Sequence, residues 1–265
     1  MQPTINYKIS GEGFPFIFQH GLGANLAQAQ SLLGGQKNVQ LITMDCPGHG
    51  DTPLRLANPP SFNFYSDEIL RLMDHLKIEK AIFGGISMGA GISMNIALRY
   101  PEKVAGLVVV RPAWLDKGNP ENLMILKAAA KFIGKRNDRA KFENNKEYQH
   151  IKGHLRTAAT SIMGVFGDAQ QTAIPMVLKS MVSDVPFENL ADLAKITQPC
   201  LIFGNDDDPL HPYEMAKLIH QQIKGSELKK VTSRYVGNRQ HKKEVNTEVA
   251  AFLAKALRYH DSPES

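Results

Sequence analysis

Five short runs dominate the pattern of this chain: Phe14 to Gln19, Gln40 to Met44, Ala81 to Gly85, Val104 to Val110 and Cys200 to Phe203. Each is dense in Ile, Val, Leu and Phe, and each is bounded by Gly, Pro or Asp. Near-continuous apolar runs of this length suit parallel strands buried on both faces; strands with one wet face alternate instead. Amphipathic stretches lie between them. Ser66 to Leu76 carries Ile69, Leu70, Met73 and Leu76 at helical spacing. Ser87 to Tyr100 and Tyr213 to Ile223 are similar, and Lys242 to Leu257 places Val245, Val249, Phe252, Leu253 and Ala256 on one face. Strands alternating with helices predict an α/β fold: a doubly wound, mostly parallel sheet of about seven to eight strands with helices on both faces. Thr4 to Ser10 adds a strand at the N-terminal edge, and Val231 to Val236 reads as another strand.

One interval breaks the rhythm. About 90 residues separate the strand ending at Val110 from the one at Leu201. A crossover needs only a dozen or more residues, usually one helix. The surplus has helical patterns of its own, at Leu123 to Ile133 and Thr172 to Val182. It predicts a helical cap, residues 115–194, inserted in a core formed by residues 1–114 and 195–265. The full length of 265 residues fits one large α/β domain carrying such an insertion.

Composition narrows the function classes. Two cysteines, Cys46 and Cys200, make no disulfide framework and point to a reducing, cytoplasmic setting. The N-terminus has no apolar run after a basic start, so no signal peptide is read there. No segment approaches the roughly 20 apolar residues of a membrane span. Neither a Gly-rich dinucleotide fingerprint after a strand nor a phosphate-binding P-loop occurs, which predicts no nucleotide cofactor. His150 and His154 lack a third ligand and read as solvated cap residues, so no metal is expected.

Lys and Arg exceed Asp and Glu by five, and the pI is about 9.1. That excess is a sum of unlike parts: residues 117–156 carry net +6, residues 217–243 net +7, and the remainder −8. The basic character therefore belongs to the first half of the cap and to the segment leading to His241. This points away from nucleic acid. It suits either a rim that steers anionic small molecules or simple solvated helix faces.

The strongest local signal is Gly85-Ile86-Ser87-Met88-Gly89. An apolar strand leads in and a small-residue helix start leads out. So sharp an elbow brings the residues two before and two after the serine together, where only a very small side chain fits. A serine hydroxyl needs a base, and the base needs an orienting acid. An elbow of this kind carries the order serine, acid, histidine. The acid should end a later strand, and Leu201 to Pro212 offers Asp206, Asp207 and Asp208 there. Of the histidines that follow, His211 is nearly adjacent to the acid, His220 lies inside an amphipathic stretch and His260 in a polar tail. His241, just before the last helix, is left as the base. The oxyanion needs backbone N–H donors. Met88, after the nucleophile, supplies one; Leu22, in the loop Gln19-His20-Gly21-Leu22-Gly23, supplies the other. His20 and His49 read as braces for their loops.

Taken together, His20-Gly21-Leu22-Gly23, Asp45-x-x-Gly48-His49-Gly50, Gly85-x-Ser87-x-Gly89, the Asp208-Pro209 turn and His241 resemble an α/β-hydrolase fold protein of the small, single-cap esterase group. The resemblance covers about residues 4–114 and 195–257. It implies a sheet of up to eight strands with a lid after the sixth, and acyl transfer through a serine ester. It favours Asp208 as the acid, with Asp206 as runner-up. Three features depart from the family pattern: a short N-terminal portion, an extra residue between Gly204 and Asp208-Pro209, and no Gly before His241.

Two further residues mark the expected pocket. Arg111, directly after three valines, sits at the strand's C-terminal edge, where it could pair with a substrate carboxylate or with a local aspartate. Trp114 either walls the acyl pocket or packs at the lid hinge. The leading expectation is a serine hydrolase cleaving a carboxylic ester, or related acyl bond, of a small molecule through Ser87, His241 and Asp208. A C–C bond hydrolase, lactonase or thioesterase acting on an anionic substrate is the second reading. A non-catalytic ligand-binding protein on the same fold is the third.

Overall fold

The computed structural model describes residues 5–55, 59–133, 138–167 and 172–260. Seven strands form one sheet: β1 (Tyr7–Ser10), β2 (Phe14–Gln19), β3 (Val39–Met44), β4 (Ala81–Ile86), β5 (Val104–Val110), β6 (Cys200–Gly204) and β7 (Glu227–Lys230). Their order across the sheet is β1-β3-β2-β4-β5-β6-β7. β1 pairs antiparallel with β3, and the other pairs are parallel. The strands at the centre are buried along their whole length, as their unbroken apolar runs require.

Side chains alternate across the pleat into two apolar layers. Ile17, Ile42, Phe83, Leu107, Val109 and Ile202 join one layer. Phe16, Leu41, Ile82, Val108, Leu201 and Phe203 join the other, against Val245, Val249 and Phe252 of the last helix. The helices are α1 (Leu26–Leu33), α2 (Phe62–Leu76), α3 (Met88–Arg99), α4 (Met124–Ala129), α5 (Asp138–Glu143), α6 (Lys146–His154), α7 (Arg156–Met163), α8 (Ile174–Ser183), α9 (Tyr213–Gln222) and α10 (Arg234–His260).

Helices α4 to α8 occupy the long interval between β5 and β6. Their Ile125, Leu126, Ile162 and Leu178 join the same apolar cluster as Phe62 and Trp114, so the insertion shares its core with one face of the sheet. Among the described strands, the insertion follows the fifth rather than the sixth.

A second correction concerns the last strand. Val231 to Val236 is not a strand: β7 lies just before it, and α10 opens at Arg234. Glu227-Leu228-Lys229-Lys230 has no apolar run, and its place at the sheet edge is held by backbone pairing with β6. α10 breaks at Gly237, whose backbone (φ −149, ψ 78) is not helical. His241 therefore lies inside the long helical segment after the break, not in a loop ahead of it. No described helix is long and apolar enough to cross a membrane.

Candidate active site

β4 ends at Ile86, and α3 begins at Met88, leaving Ser87 alone in the elbow. Ser87 has φ 57 and ψ −109. Holding a non-glycine residue in so sparse a region costs about 1–3 kcal/mol and needs a scaffold that over-determines it. That scaffold is visible. The Ser87 N–H donates to the Val110 carbonyl at 3.0 Å. A Cβ on Gly85 would lie 2.3 Å from the Gly89 carbonyl carbon, and one on Gly89 would lie 2.5 Å from the Gln19 carbonyl oxygen. Two glycines are thus required by close approach. Ser87 stands at the positive end of the α3 dipole.

The loop after β2 lies against it. A Cβ on Gly21 would sit 3.4 Å from the Ser87 Cβ. Gly21 N–H is taken by Gln28 Oε1 at 2.7 Å. His20 holds this loop from below: its Nε2 accepts from Cys46 N–H at 3.0 Å, so its Nδ1 carries the proton and donates to the Gly21 carbonyl at 2.8 Å. Burial keeps its pKa below the usual imidazole value, which preserves that neutral tautomer. Leu22 lines the cleft beside Ser87. Met88 occupies the first turn of α3, where N–H groups have no intrahelical acceptor.

Of the three aspartates, Asp206 and Asp207 are exposed and Asp208 is buried. Asp206 pairs with Lys230 at 2.6 Å. Asp208 Oδ1 accepts from His211 Nδ1 at 2.8 Å and from Leu210 N–H at 3.2 Å. Its Oδ2 accepts from Arg111 Nη1 at 3.1 Å. Burial opposes ionisation of Asp208, but His211 and Arg111 outweigh it and hold the carboxyl below its usual range.

His241 is placed differently from its expectation. Its Nδ1–H donates to the Thr232 carbonyl at 2.8 Å. Among the described hydrogen bonds, the expected Asp208–His241 contact is replaced by Asp208–His211. Burial, with Arg111 and Arg234 beside it, holds the His241 pKa down to about 4, against the opposing pull of Thr232 and Asp208. His211 is also lowered, first by burial and then by Arg111, with Asp208 opposing.

Two adjoining hollows share Gln28, Ile86, Arg111 and Arg234. One, of about 80 Å³, is lined by Ser87, Leu22, His211 and Tyr235 among others. The other, of about 490 Å³, is lined by His241, Asn238 and Lys242. Ser87 and His211 therefore face one space, and His241 faces the next.

Arg111 is 3 % exposed, adopts φ 48, and its Nε has no hydrogen-bond partner among the described residues. It pairs with a local aspartate, the second of its two expected roles. Trp114 does not line the Ser87 cleft. It is 1 % exposed, its Nε1–H donates to the Met181 carbonyl at 2.9 Å, and it meets Phe62 edge-on at 5.5 Å. It packs between the β5 exit and the insertion.

The structure adds Arg234 and His211 to the site. Arg234 carries no site signal in the sequence, because it lies inside Val231 to Val236, the stretch expected to be a strand. Burial and then the nearby Arg111 lower its pKa. Among the described residues, no group of three or more His, Cys, Asp or Glu could hold a metal.

Comparison with known proteins agrees with this architecture. The model of the alpha/beta hydrolase fold family matches residues 15–234, ending short of His241. The chain belongs to that family. It is 34% identical over 129 residues to the dihydrolipoyllysine-residue acetyltransferase component of the acetoin cleaving system of Pseudomonas putida, covering 47% of this chain and 34% of that protein. The chain thus spans about a third of that relative's length. It is 23% identical over 231 residues to a poly(3-hydroxyalkanoate) depolymerase of Ectopseudomonas oleovorans, covering 81% and 75% of the two chains. The crystal structure of an enol-lactonase from Burkholderia xenovorans LB400 superposes with a TM-score of 0.75 at 19% identity, over 94% of this chain and 96% of that one.

Proposed function

We propose that the protein is a serine hydrolase that cleaves an ester, or a related acyl bond such as a lactone, in a small anionic molecule. The observation that carries this reading is Ser87 itself: a buried serine held at φ 57 by two obligatory glycines, at a helix N-terminus, facing the Gly21-Leu22 loop. Strain of this kind persists where the surrounding structure enforces it. The names of the depolymerase and the enol-lactonase agree with acyl chemistry.

In this mechanism Ser87 Oγ attacks the carbonyl carbon. The Leu22 and Met88 N–H groups receive the developing oxyanion. A histidine of this face takes the Ser87 proton and returns it to the leaving group, and Asp208 orients the imidazole. Two histidines stand there: His241, assigned from the sequence, and His211, which Asp208 holds. The body of the substrate lies in the larger hollow, a volume suited to a small molecule. With Arg111 taken up by Asp208, Arg234 at the shared wall favours a carboxylate or similar anion. The helical insertion acts as the lid of the site.

The test is labelling by a fluorophosphonate, together with turnover of p-nitrophenyl acetate, p-nitrophenyl butyrate and a panel of carboxylated esters and lactones. The expected result is labelling and turnover in the wild type and neither in Ser87→Ala. Equal labelling of the two proteins would remove Ser87 as nucleophile. A folded wild type that neither labels nor turns over any ester would favour the ligand-binding reading.

A further inference from the structure

We propose that His211, not His241, is the general base of the Ser87 site; the proposal rests on the serine-hydrolase reading above and replaces its least supported member. In this arrangement the acid and its histidine come from a single turn, Asp208-Pro209-Leu210-His211, instead of from two separate loops.

The orienting half of the machinery is already formed. His211 Nδ1 lies 2.8 Å from Asp208 Oδ1. An ionised carboxylate only accepts, so Nδ1 carries the proton and Nε2 keeps its lone pair. This is the tautomer a base needs. The turn is fixed from both sides. His211 N–H donates to the Asp208 carbonyl at 3.2 Å. Asn122 Nδ2 donates to the Leu210 carbonyl at 2.7 Å and to the Ala113 carbonyl at 3.2 Å, tying the turn to the β5 exit. His211 is 5 % exposed and lines the same cleft as Ser87.

His241 shares that tautomer and that burial, but among the described hydrogen bonds no carboxylate holds it, and it does not line the Ser87 cleft. Its Nδ1–H is committed to Thr232, and its ring lines the adjoining hollow. Between it and the serine cleft stands Arg234, the first residue of α10. Its guanidinium lines the Ser87 cleft, and it cannot accept a proton. Burial also keeps His211 neutral near pH 7, with Asp208 limiting the depression.

The step balances within the site. As the bond between Ser87 Oγ and the carbonyl carbon forms, His211 Nε2 takes the hydroxyl proton and the carbonyl π pair moves to oxygen. On collapse the bond to the leaving alkoxide breaks, and Nε2–H protonates it. Water then repeats the sequence on the acyl-enzyme, releasing the acid and restoring the Ser87 hydroxyl.

Single-turnover acylation by p-nitrophenyl esters and the rate of fluorophosphonate labelling are measured for His211→Ala, His211→Gln and His241→Ala, with folding checked by circular dichroism. Both His211 variants should lose acylation by about 10²–10⁴-fold, the usual worth of a general base. Added imidazole should restore part of the rate in His211→Ala only. His241→Ala should act mainly on KM, with kcat within about tenfold. The proposal is overturned if His241→Ala carries the large, imidazole-rescued loss, or if the His211 variants stay within tenfold of wild type. Should His211→Ala not fold, the larger His211→Gln decides by the same criterion. Should neither fold, a ¹⁵N spectrum of the wild-type imidazoles decides: protonated Nε2 on His211 at neutral pH overturns the proposal. Loss of Ser87-dependent labelling in the wild type would instead sink the hydrolase reading, independently of which histidine acts.

Discussion

Arg111 and Asp208 form an ion pair of 3.1 Å whose side chains are 3 % and 0 % exposed. A pair so buried contributes little net stability against apolar residues of the same shape, but breaking it is costly. Arg111→Ala leaves the Asp208 carboxylate with His211, the Leu210 N–H and the Asn205 side chain, and without its cation. Urea unfolding should show a loss of about 3 kcal/mol. Asp208→Asn in the same background should recover part of it, which a double-mutant cycle measures. A loss under about 1 kcal/mol, on the scale of an exposed pair, would mean that water reaches this carboxylate.

Ser87 carries its backbone strain in every state of the folded protein. Glycine adopts φ 57 without that penalty. Ser87→Gly should therefore raise stability by about 1 kcal/mol while abolishing labelling. Ser87→Ala should abolish labelling with a smaller gain. Equal denaturation midpoints for Ser87→Gly and Ser87→Ala would refute stored strain at the elbow.

Acid should weaken the fold earlier than carboxylate titration alone would. His241 titrates near 4 when folded, against a reference of 6.5. Above pH 6.5 both folded and unfolded states hold it neutral, and it has no effect. As pH falls from about 6.5 towards 4, the unfolded chain takes up the proton first, and stability falls. Below about 4 its contribution levels off. The slope for one such histidine is at most about 1.4 kcal/mol per pH unit. His20, His49 and His211 are lowered in the same direction and add to it. Stability measured across this window should lose part of its slope in His241→Gln; an unchanged slope would show that His241 is hydrated.

Trp114 separates anchoring from substrate contact. In Trp114→Phe the buried Met181 carbonyl loses its donor, at a cost of about 1–3 kcal/mol. Turnover of the best ester should stay within about threefold. A large change in KM with unchanged stability would return Trp114 to the pocket wall.

Much of this was legible in the residues. β2 to β6 announce themselves because a strand buried on both faces needs apolar side chains at every position. The elbow is legible because its two glycines are forced by contacts below 3 Å. β7 is hidden because an edge strand asks only for backbone pairing, and Glu227, Lys229 and Lys230 supply that. Val231 to Val236 misleads because β-branched residues also suit the turn into a helix. His211 is close to the acid in sequence, yet a turn returns residue i+3 onto residue i, and its imidazole reaches the carboxylate. Where His241 would lie depended on where α10 begins: it opens at Arg234, seven residues before His241, and its break at Gly237 falls four residues before it.

The chain has one tryptophan, and it is the residue bridging Met181 and Phe62. Its emission therefore reports on a single joint, the seam between the β5 exit and the inserted helices, without background from other indoles. A dry, hydrogen-bonded indole emits to the blue of a wet one. Any parting of the insertion from the sheet will be visible as a red shift in unlabelled protein, and substrate analogues can be titrated against it directly.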